Sequence, residues 1–174
     1  MKHLKSYKIF EDHNNDNSEL IKKLGKFGIK KYTINSDGVI DVDGDVILHN
    51  KRLTKIPFKF GEVTGSFYIG HNKLTNLDGC PREVDGNFNC SGNNLKSLIG
   101  GPQDIGGYYS CHSNQLESLE GCAGDIGGTL YCQYNKLEML DCSSVINGDI
   151  YCKDNGFKEE PEFFGICGGK IIWK

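Results

Sequence analysis

The fold is decided by the stretch Val84-Asp85-Gly86-Asn87-Phe88-Asn89-Cys90-Ser91-Gly92-Asn93-Asn94-Leu95-Lys96-Ser97-Leu98, whose pattern recurs along the chain. Within it Phe88 and Cys90 alternate with polar residues, and this period of two predicts a short, half-buried β-strand. Equivalent residues recur every 21 positions, or 20 at the last step, as in the columns Leu53, Leu74, Leu95, Leu116, Leu137 and Asn72, Asn93, Asn114, Asn135, Asn155. A period of this length predicts a solenoid, in which each repeat forms one coil and stacks on its neighbours.

Further columns predict how each coil is built. Two of them lie on the apolar side of the predicted strand: Val46, Phe67, Phe88, Tyr109, Leu130, Ile150 and Leu48, Ile69, Cys90, Cys111, Cys132, Cys152. A third apolar column, Val42, Val63, Val84, Ile105, Ile126, Ile146, precedes the strand. We expect one strand per coil, paired in parallel with its neighbours about 4.8 Å away. The asparagine after each strand can satisfy backbone groups where the chain turns.

The predicted fold is therefore mainly β: a leucine-rich-repeat solenoid with a parallel sheet over residues 44–157. A coil of about 21 residues leaves no room for a long helix, so we expect short strands, turns or a 3₁₀ turn on its outer side. Residues 158–174 are predicted to cap the open end, because the repeat pattern decays there. The apolar side chains expected to cover the last core layer are Phe163, Phe164, Ile171, Ile172 and Trp173.

Residues 1–43 are predicted to form an N-terminal segment followed by a helix and hairpin cap. The run Asp16-Asn17-Ser18-Glu19 is typical of a helix start whose side chains cap free N–H groups. The apolar face of this helix would be Leu20, Ile21, Leu24 and Phe27, and Gly25 and Gly28 would end it. Two strands are expected over residues 30–34 and 39–42, and the polar residues 1–15 are expected to be flexible.

Composition narrows the function classes. The formal net charge of –3 over 174 residues gives none of the basic surface that nucleic acid binding requires. No apolar run is long enough to cross a membrane, and no apolar stretch follows the basic N-terminus as in a signal peptide. We therefore expect a cytoplasmic protein whose eight cysteines are reduced thiols.

Three patterns that suggest chemistry have plainer explanations. The cysteines lack the Cys-x-x-Cys spacing of a metal or redox site, and their columns suit small apolar residues in a narrow core. The run Asp41-Val42-Asp43-Gly44-Asp45 suggests calcium, but the twelfth position of such a loop is Arg52 rather than Glu. Cys111 and His112 are adjacent in a strand, so their side chains point to opposite faces. The sequence thus predicts no enzyme, no cofactor, no metal and no small-molecule substrate.

The outward positions of the predicted strands form three rows on one face of the sheet. They are Asp45, Ser66, Asn87, Tyr108, Thr129, Asp149; then Ile47, Tyr68, Asn89, Ser110, Tyr131, Tyr151; then His49, Gly70, Ser91, His112, Gln133, Lys153. This mixture of Tyr, Ser, Asn and Gly resembles a protein-binding surface, although tyrosine also suits exposed strand positions in general. The predicted partner-binding residues are Ile47, His49, Tyr68, Tyr108, His112, Tyr131 and Tyr151.

The repeat resembles that of small leucine-rich-repeat proteins of large tailed bacteriophages and some bacteria. The resemblance rests on the pattern Gly-x-Phe-x-Cys-x-x-Asn-x-Leu-x-x-Leu-x-Gly-Cys-Pro over residues 65–81 and 86–102, in which Gly101 replaces the cysteine. It implies a phage-encoded, non-catalytic protein that binds a host or phage protein in the bacterial cytoplasm, for example as an inhibitor of host function or defence. The alternative is a structural virion or assembly component. A third hypothesis is a carbohydrate or nucleic acid ligand stacked on the tyrosines, and the net charge disfavours it for nucleic acid.

Overall fold

The computed structural model describes residues 17–174, and these form one continuous β-solenoid with a helix and a hairpin at its N-terminal end. The predicted flexibility of residues 1–15 concerns a segment outside the described residues, as does Asp16 of the predicted helix start. The elements are α1 Ser18–Lys26, β1 Tyr32–Ile34, β2 Ile40–Val42, β3 Val46–Ile47, β4 Phe60–Val63, β5 Phe67–Tyr68, β6 Glu83–Val84, β7 Phe88–Asn89, β8 Asp104–Ile105, β9 Tyr109–Ser110, β10 Asp125–Ile126, β11 Leu130–Tyr131, β12 Val145–Ile146, β13 Ile150–Tyr151, β14 Ile166–Cys167 and β15 Ile171–Ile172.

Each coil contributes one strand to each of two parallel sheets. Sheet A runs β1-β2-β4-β6-β8-β10-β12-β14, with β1 antiparallel to β2, and sheet B runs β3-β5-β7-β9-β11-β13-β15. The mainly β solenoid with coils of about 21 residues is thus confirmed. Sheet B contains the strand that the alternation of Phe88 and Cys90 predicts. Sheet A is a second sheet besides the one that this alternation predicts. Its strands carry the column of valines and isoleucines that precedes the predicted strand; Val84, for example, is buried, and its neighbour Glu83 is partly exposed.

The core is a stack of equivalent side chains from successive coils. Phe67 and Phe88 lie nearly parallel with ring centroids 5.9 Å apart, and Tyr109 meets Phe88 edge-on at 5.1 Å. Leucines such as Leu95 and Leu98 close the third side of the coil, where the structure has turns rather than strands. Each coil therefore buries its apolar side chains only by stacking on its neighbours.

The asparagine column satisfies backbone groups in the turn after each strand, as the sequence predicts, and it also joins successive coils. The side-chain amide of Asn93 donates to the carbonyls of Cys90 and Ser91 in its own coil and to that of Ile69 in the preceding one. Its oxygen accepts the N–H of Leu74 at 3.0 Å. The same four bonds recur at Asn114 and Asn135. One side chain thus satisfies buried backbone groups of two coils at once.

Gly101, which interrupts the cysteine column, makes room for a tyrosine from the core. A Cβ atom at Gly101 would lie 3.4 Å from the hydroxyl of Tyr109 and 3.0 Å from the Leu77 side chain. The Tyr109 hydroxyl is buried and has no hydrogen-bond partner among residues 17–174, and burial raises the pKa of this phenol well above its usual value. The large Tyr109 side chain therefore fits because Gly101, in the adjacent part of the core, has no side chain.

We predict that Tyr109→Phe raises the free energy of unfolding by about 1 kcal/mol, because it removes a buried polar group that lacks a partner. Urea denaturation followed by circular dichroism measures this change. A loss of stability would show that the hydroxyl is bonded after all, with the neighbouring Cys90 thiol as the first candidate.

The N-terminal cap matches its predicted elements but not its predicted helix cap. Helix α1 and the β1–β2 hairpin are present, and the side chain of Asn35 accepts the N–H groups of Asp37 and Val39 in the turn. Asn17 makes no side-chain capping bond, because its own backbone is already helical, whereas a capping residue adopts an extended conformation. Leu24 is the buried residue of the helix, while Ile21 is exposed.

The C-terminal segment continues the solenoid rather than ending it with a different structure. Strand β14 pairs with β12 and strand β15 with β13, in the register of the earlier coils. Phe163, Ile171 and Trp173 pack against the core as expected. Phe164 does not cover the core, since 71% of its surface is exposed, and Ile172 lies in the outward row after Tyr151.

Candidate functional site

The outward face of sheet B brings four predicted tyrosines into one contiguous cluster. The rings of Tyr131 and Tyr151 are stacked, with centroids 5.3 Å apart and an interplanar angle of 21°. Tyr108 meets Tyr131 edge-on at 5.9 Å. The phenol of Tyr108 also lies close enough to Tyr68 and Asn89 for both to affect its pKa. All four rings are half-buried, so each keeps an accessible surface.

The phenols of this cluster are partly withdrawn from water. Burial, followed by the neighbouring Tyr68, raises the pKa of Tyr108, while the Asn89 side chain opposes the shift. Tyr108 is thus held as a neutral phenol whose ring is fixed by contacts on both sides. A ring fixed in this way loses little conformational entropy when it is covered by a partner.

The first of the three outward rows proves to be largely structural. Three successive side chains of this row accept a backbone N–H of the following coil: Asp45 from Ser66, Ser66 from Asn87, and Asn87 from Tyr108, at 2.7 to 3.0 Å. Asp149 does the same with Lys170. These groups are already bonded, so the candidate surface narrows to the other two rows together with Tyr108.

Small residues lie between the tyrosines. Ser110 and Ser91 are buried in the sheet face, and the hydroxyl of Ser91 donates to the side chain of Asn89 at 2.7 Å. Gly70 adjoins them, and a Cβ atom there would lie 2.9 Å from the Asn89 side-chain oxygen. The face therefore carries aromatic rings on both sides of a patch of small polar groups.

The remaining predicted residues lie at the margins of the tyrosine cluster. Ile47 is directly paired with Tyr68 and is 49% exposed, and His49 is exposed at the same end of the sheet. His112 accepts or donates a 3.0 Å hydrogen bond with the Ser113 hydroxyl. All seven predicted residues thus lie on one face, although His49 and His112 do not belong to the tyrosine cluster itself.

Two residues next to this face were not identified from the sequence. His71 lies over Gly92, close enough that its charge affects His112. Tyr134 is 58% exposed, and its backbone has a φ of 57°, in the left-handed region that a non-glycine residue rarely adopts. Both belong to the turn that follows the strand, where strict alternation between two faces no longer predicts side-chain direction.

We expect His112 to titrate below 6.5, because burial and then the charge of His71 lower its pKa. A histidine whose pKa is lower in the folded state binds more protons when unfolded, so its effect on stability is to favour unfolding as the pH falls below about 6.5. In His71→Asn the pKa of His112 should rise, whereas His49→Asn should leave it unchanged. Proton NMR titration of the imidazole signals measures both. An unchanged His112 in the His71 variant would contradict the described proximity.

The outward face of sheet A has a different character. Glu62, Glu83, Asp104 and Asp125 lie in register on adjacent strands, and no tyrosine occupies an outward position in the described strands of this sheet. Glu83, Asp104 and Asp125 border an open groove of about 370 Å³, in which Gly106 and Gly127 occupy neighbouring coils. The two faces of one solenoid thus differ: one is acidic and the other is rich in tyrosine.

Within residues 17–174, the cysteine columns and the aspartates of residues 41–45 do not form a metal site. No group of three or more His, Cys, Asp or Glu side chains is placed to hold a metal ion. Asp41 accepts the N–H of Glu62, and Asp43 accepts the hydroxyl of Thr64, so these carboxylates bond the neighbouring coil. Helix α1, the helix in this part of the chain, is too short to cross a membrane.

Comparisons with protein-family models, with curated proteins and with solved structures give no match to this chain. The resemblance to leucine-rich-repeat proteins of tailed bacteriophages therefore stays a prediction from the repeat motif.

Proposed function

We propose that this protein is a non-catalytic binding protein that holds another protein against the outward face of sheet B. The observation that carries the proposal is the contiguous cluster of Tyr68, Tyr108, Tyr131 and Tyr151. Tyrosine is enriched at binding hot spots because a rigid ring buries much apolar area while its hydroxyl keeps a polar contact.

The contrast between the two sheets supports this proposal against the general preference of tyrosine for strands. If tyrosine were present only because it suits exposed strand positions, it should appear on both faces, since both sheets have equally short parallel strands. The aligned outward positions of sheet A instead carry Glu62, Glu83, Asp104 and Asp125, followed by Val145 and Ile166 at the C-terminal end. A charged face keeps a repeat protein soluble, which leaves the tyrosine face as the one suited to a partner.

The partner that this face favours is a protein rather than a nucleic acid. A net charge of –3 and the carboxylates of sheet A oppose the approach of a phosphate backbone. We further propose, from the resemblance alone, that the protein is phage-encoded and acts on a host or phage protein in the bacterial cytoplasm.

Affinity capture from bacterial lysate tests the proposal. The full chain is immobilised beside a matched variant of the opposite face, Glu83→Ala/Asp104→Ala/Asp125→Ala, whose changes lie on exposed or part-exposed positions. We expect the same specific protein to be retained by both at physiological salt. Capture of nucleic acid that is lost at high salt, or of no protein by either form, would contradict the proposal.

A further inference from the structure

Cys122 and Cys142 are the neighbouring pair of a second cysteine column, which lies in the turn leading to sheet A. Asp125 pairs with Val145 in the register of β10 and β12, so the two cysteines, each three residues earlier, occupy equivalent positions of adjacent coils. Cys80 belongs to the same column but faces Gly101 in the next coil, so it has no equivalent neighbour. Adjacent coils are separated by about 4.8 Å, within the Cα–Cα range of a disulfide.

The two thiols are close enough to influence each other. Each is the largest influence on the pKa of the other, and Ser144 lies close enough to affect both. Ser144 is itself fixed, because its hydroxyl donates to the carbonyl of Ala123 at 2.6 Å. Cys142 is 9% exposed and Cys122 is partly exposed, so a small reagent has access from the turn.

The same contacts make Cys142 the more acidic thiol of the pair. The neighbouring Cys122 thiol lowers the pKa of Cys142 to about 7, against the opposing effects of burial and of Asp141, and the backbone N–H of Ser144 adds to the lowering. The pKa of Cys122 is raised by the Cys142 sulfur and by burial. At neutral pH Cys142 is therefore a thiolate in a substantial fraction of the molecules, next to the Cys122 thiol, and this combination favours thiol oxidation.

The cysteine column of the core has the same coil spacing but different contacts. The Cys90 thiol donates to the carbonyl of Ser110 at 3.5 Å, and the Cys152 thiol to that of Ile172 at 3.6 Å. These sulfurs point at backbone oxygens of the next coil rather than at each other. Burial raises the pKa of Cys90 well above its usual value and that of Cys152 to about 12, so neither supplies a thiolate at neutral pH.

We propose that Cys122 and Cys142 form a peroxide-sensitive dithiol site that closes to a disulfide between adjacent coils. The Cys142 thiolate attacks one oxygen of hydrogen peroxide, forming a sulfenic acid and releasing hydroxide. The Cys122 thiol then attacks the Cys142 sulfur, its proton passes to the departing hydroxyl group, and water leaves as the disulfide forms. Two thiols are oxidised and one peroxide is reduced, so no other reactant is needed.

Peptide mapping by tandem mass spectrometry tests this site on the folded full chain. The protein is treated with hydrogen peroxide at neutral pH, remaining thiols are alkylated, and the chain is digested with trypsin and a glutamate-specific protease. We expect a linked peptide pair that is two hydrogens lighter than the free peptides, with the bond between Cys122 and Cys142, and at least ten times more of it than of a Cys132–Cys152 bond. Reduction should restore the free peptides.

A matched variant of the core column provides the control. Cys132→Ala/Cys152→Ala should still form the disulfide, whereas Cys122→Ser, which keeps a hydrogen-bond donor beside Cys142 but has no sulfur, should leave Cys142 as a sulfenic or more oxidised acid. A bond between core cysteines instead, or oxidation of Cys142 in the wild type without closure, would overturn the proposal. Equal resistance of all eight cysteines to peroxide would overturn it as well. This measurement is made on the wild type, so it does not depend on how any variant folds.

Discussion

Replacing Tyr68, Tyr131 and Tyr151 together with alanine is expected to weaken partner binding by at least about a hundredfold. A buried hot-spot tyrosine contributes about 2 kcal/mol or more, and 2.7 kcal/mol already corresponds to a hundredfold change in affinity. The effects of the three will not add fully, because Tyr131 and Tyr151 are stacked on each other and each supports the other's ring. Isothermal titration calorimetry with the captured partner measures the loss.

The face of sheet A supplies the control for this prediction. Glu83→Ala/Asp104→Ala/Asp125→Ala should change the affinity less than about threefold, because these side chains lie on the opposite sheet. Circular dichroism should show that both variants remain folded, since the replaced side chains lie outside the core. Undiminished binding by the folded tyrosine variant would move the binding surface to the turns or to sheet A.

Replacing Asn93 with alanine is expected to lower the free energy of unfolding by about 3 kcal/mol. The side chain is 6% exposed, and its loss leaves the buried N–H of Leu74 without its partner. It also removes one of the two amide bonds that the carbonyls of Ile69 and Cys90 each accept, the others coming from Asn72 and Asn114. Each unsatisfied buried group costs about 1 to 3 kcal/mol, and part of this is recovered if water enters the site. Because the bonds join two coils, the unfolding transition should also become less cooperative.

The neighbouring asparagine is a matched control. Asn94 is exposed, and its only hydrogen bond among the described residues runs from its backbone to Leu74, so Asn94→Ala should change stability by less than about 0.5 kcal/mol. Urea denaturation of the two variants compares the same substitution at adjacent positions. Similar stabilities for both would show that the asparagine column does not hold the coils together.

The architecture was predictable because a solenoid repeats its contacts. The columns of Asn93 and Leu95 fix coil length and register, so one interpreted repeat predicts the others. For the outer side of the coil the sequence left short strands, turns and a 3₁₀ turn as alternatives. It could not single out a second sheet, because a two-residue strand such as Glu83–Val84 is too short to show alternation. The continued coil at β14 and β15 was missed for a different reason. There the side chains change, with Trp173 in the column of Cys152, while the backbone pairing persists.

The candidate site was predictable where strands determine side-chain direction. Alternation placed Tyr68, Tyr131 and Tyr151 on one face, and the structure has them there. Alternation could not predict that the side chains of Asp45 and Asn87 accept backbone N–H groups, since these bonds depend on the position of the turn in the following coil. The fit of Tyr109 to Gly101 likewise links positions that approach only in the folded coil, and so does the pairing of Cys122 with Cys142.

Hydroxyl-radical footprinting of the captured complex tests the central claim most directly, because it reports which side chains the partner covers. The proposed binding mode predicts strong protection of Tyr68, Tyr131 and Tyr151 in the complex, while Ile99 and Met139, which are exposed away from sheet B, keep their free rates of oxidation. Protection of Ile99 or Met139 with unchanged oxidation of the three tyrosines would contradict binding through sheet B.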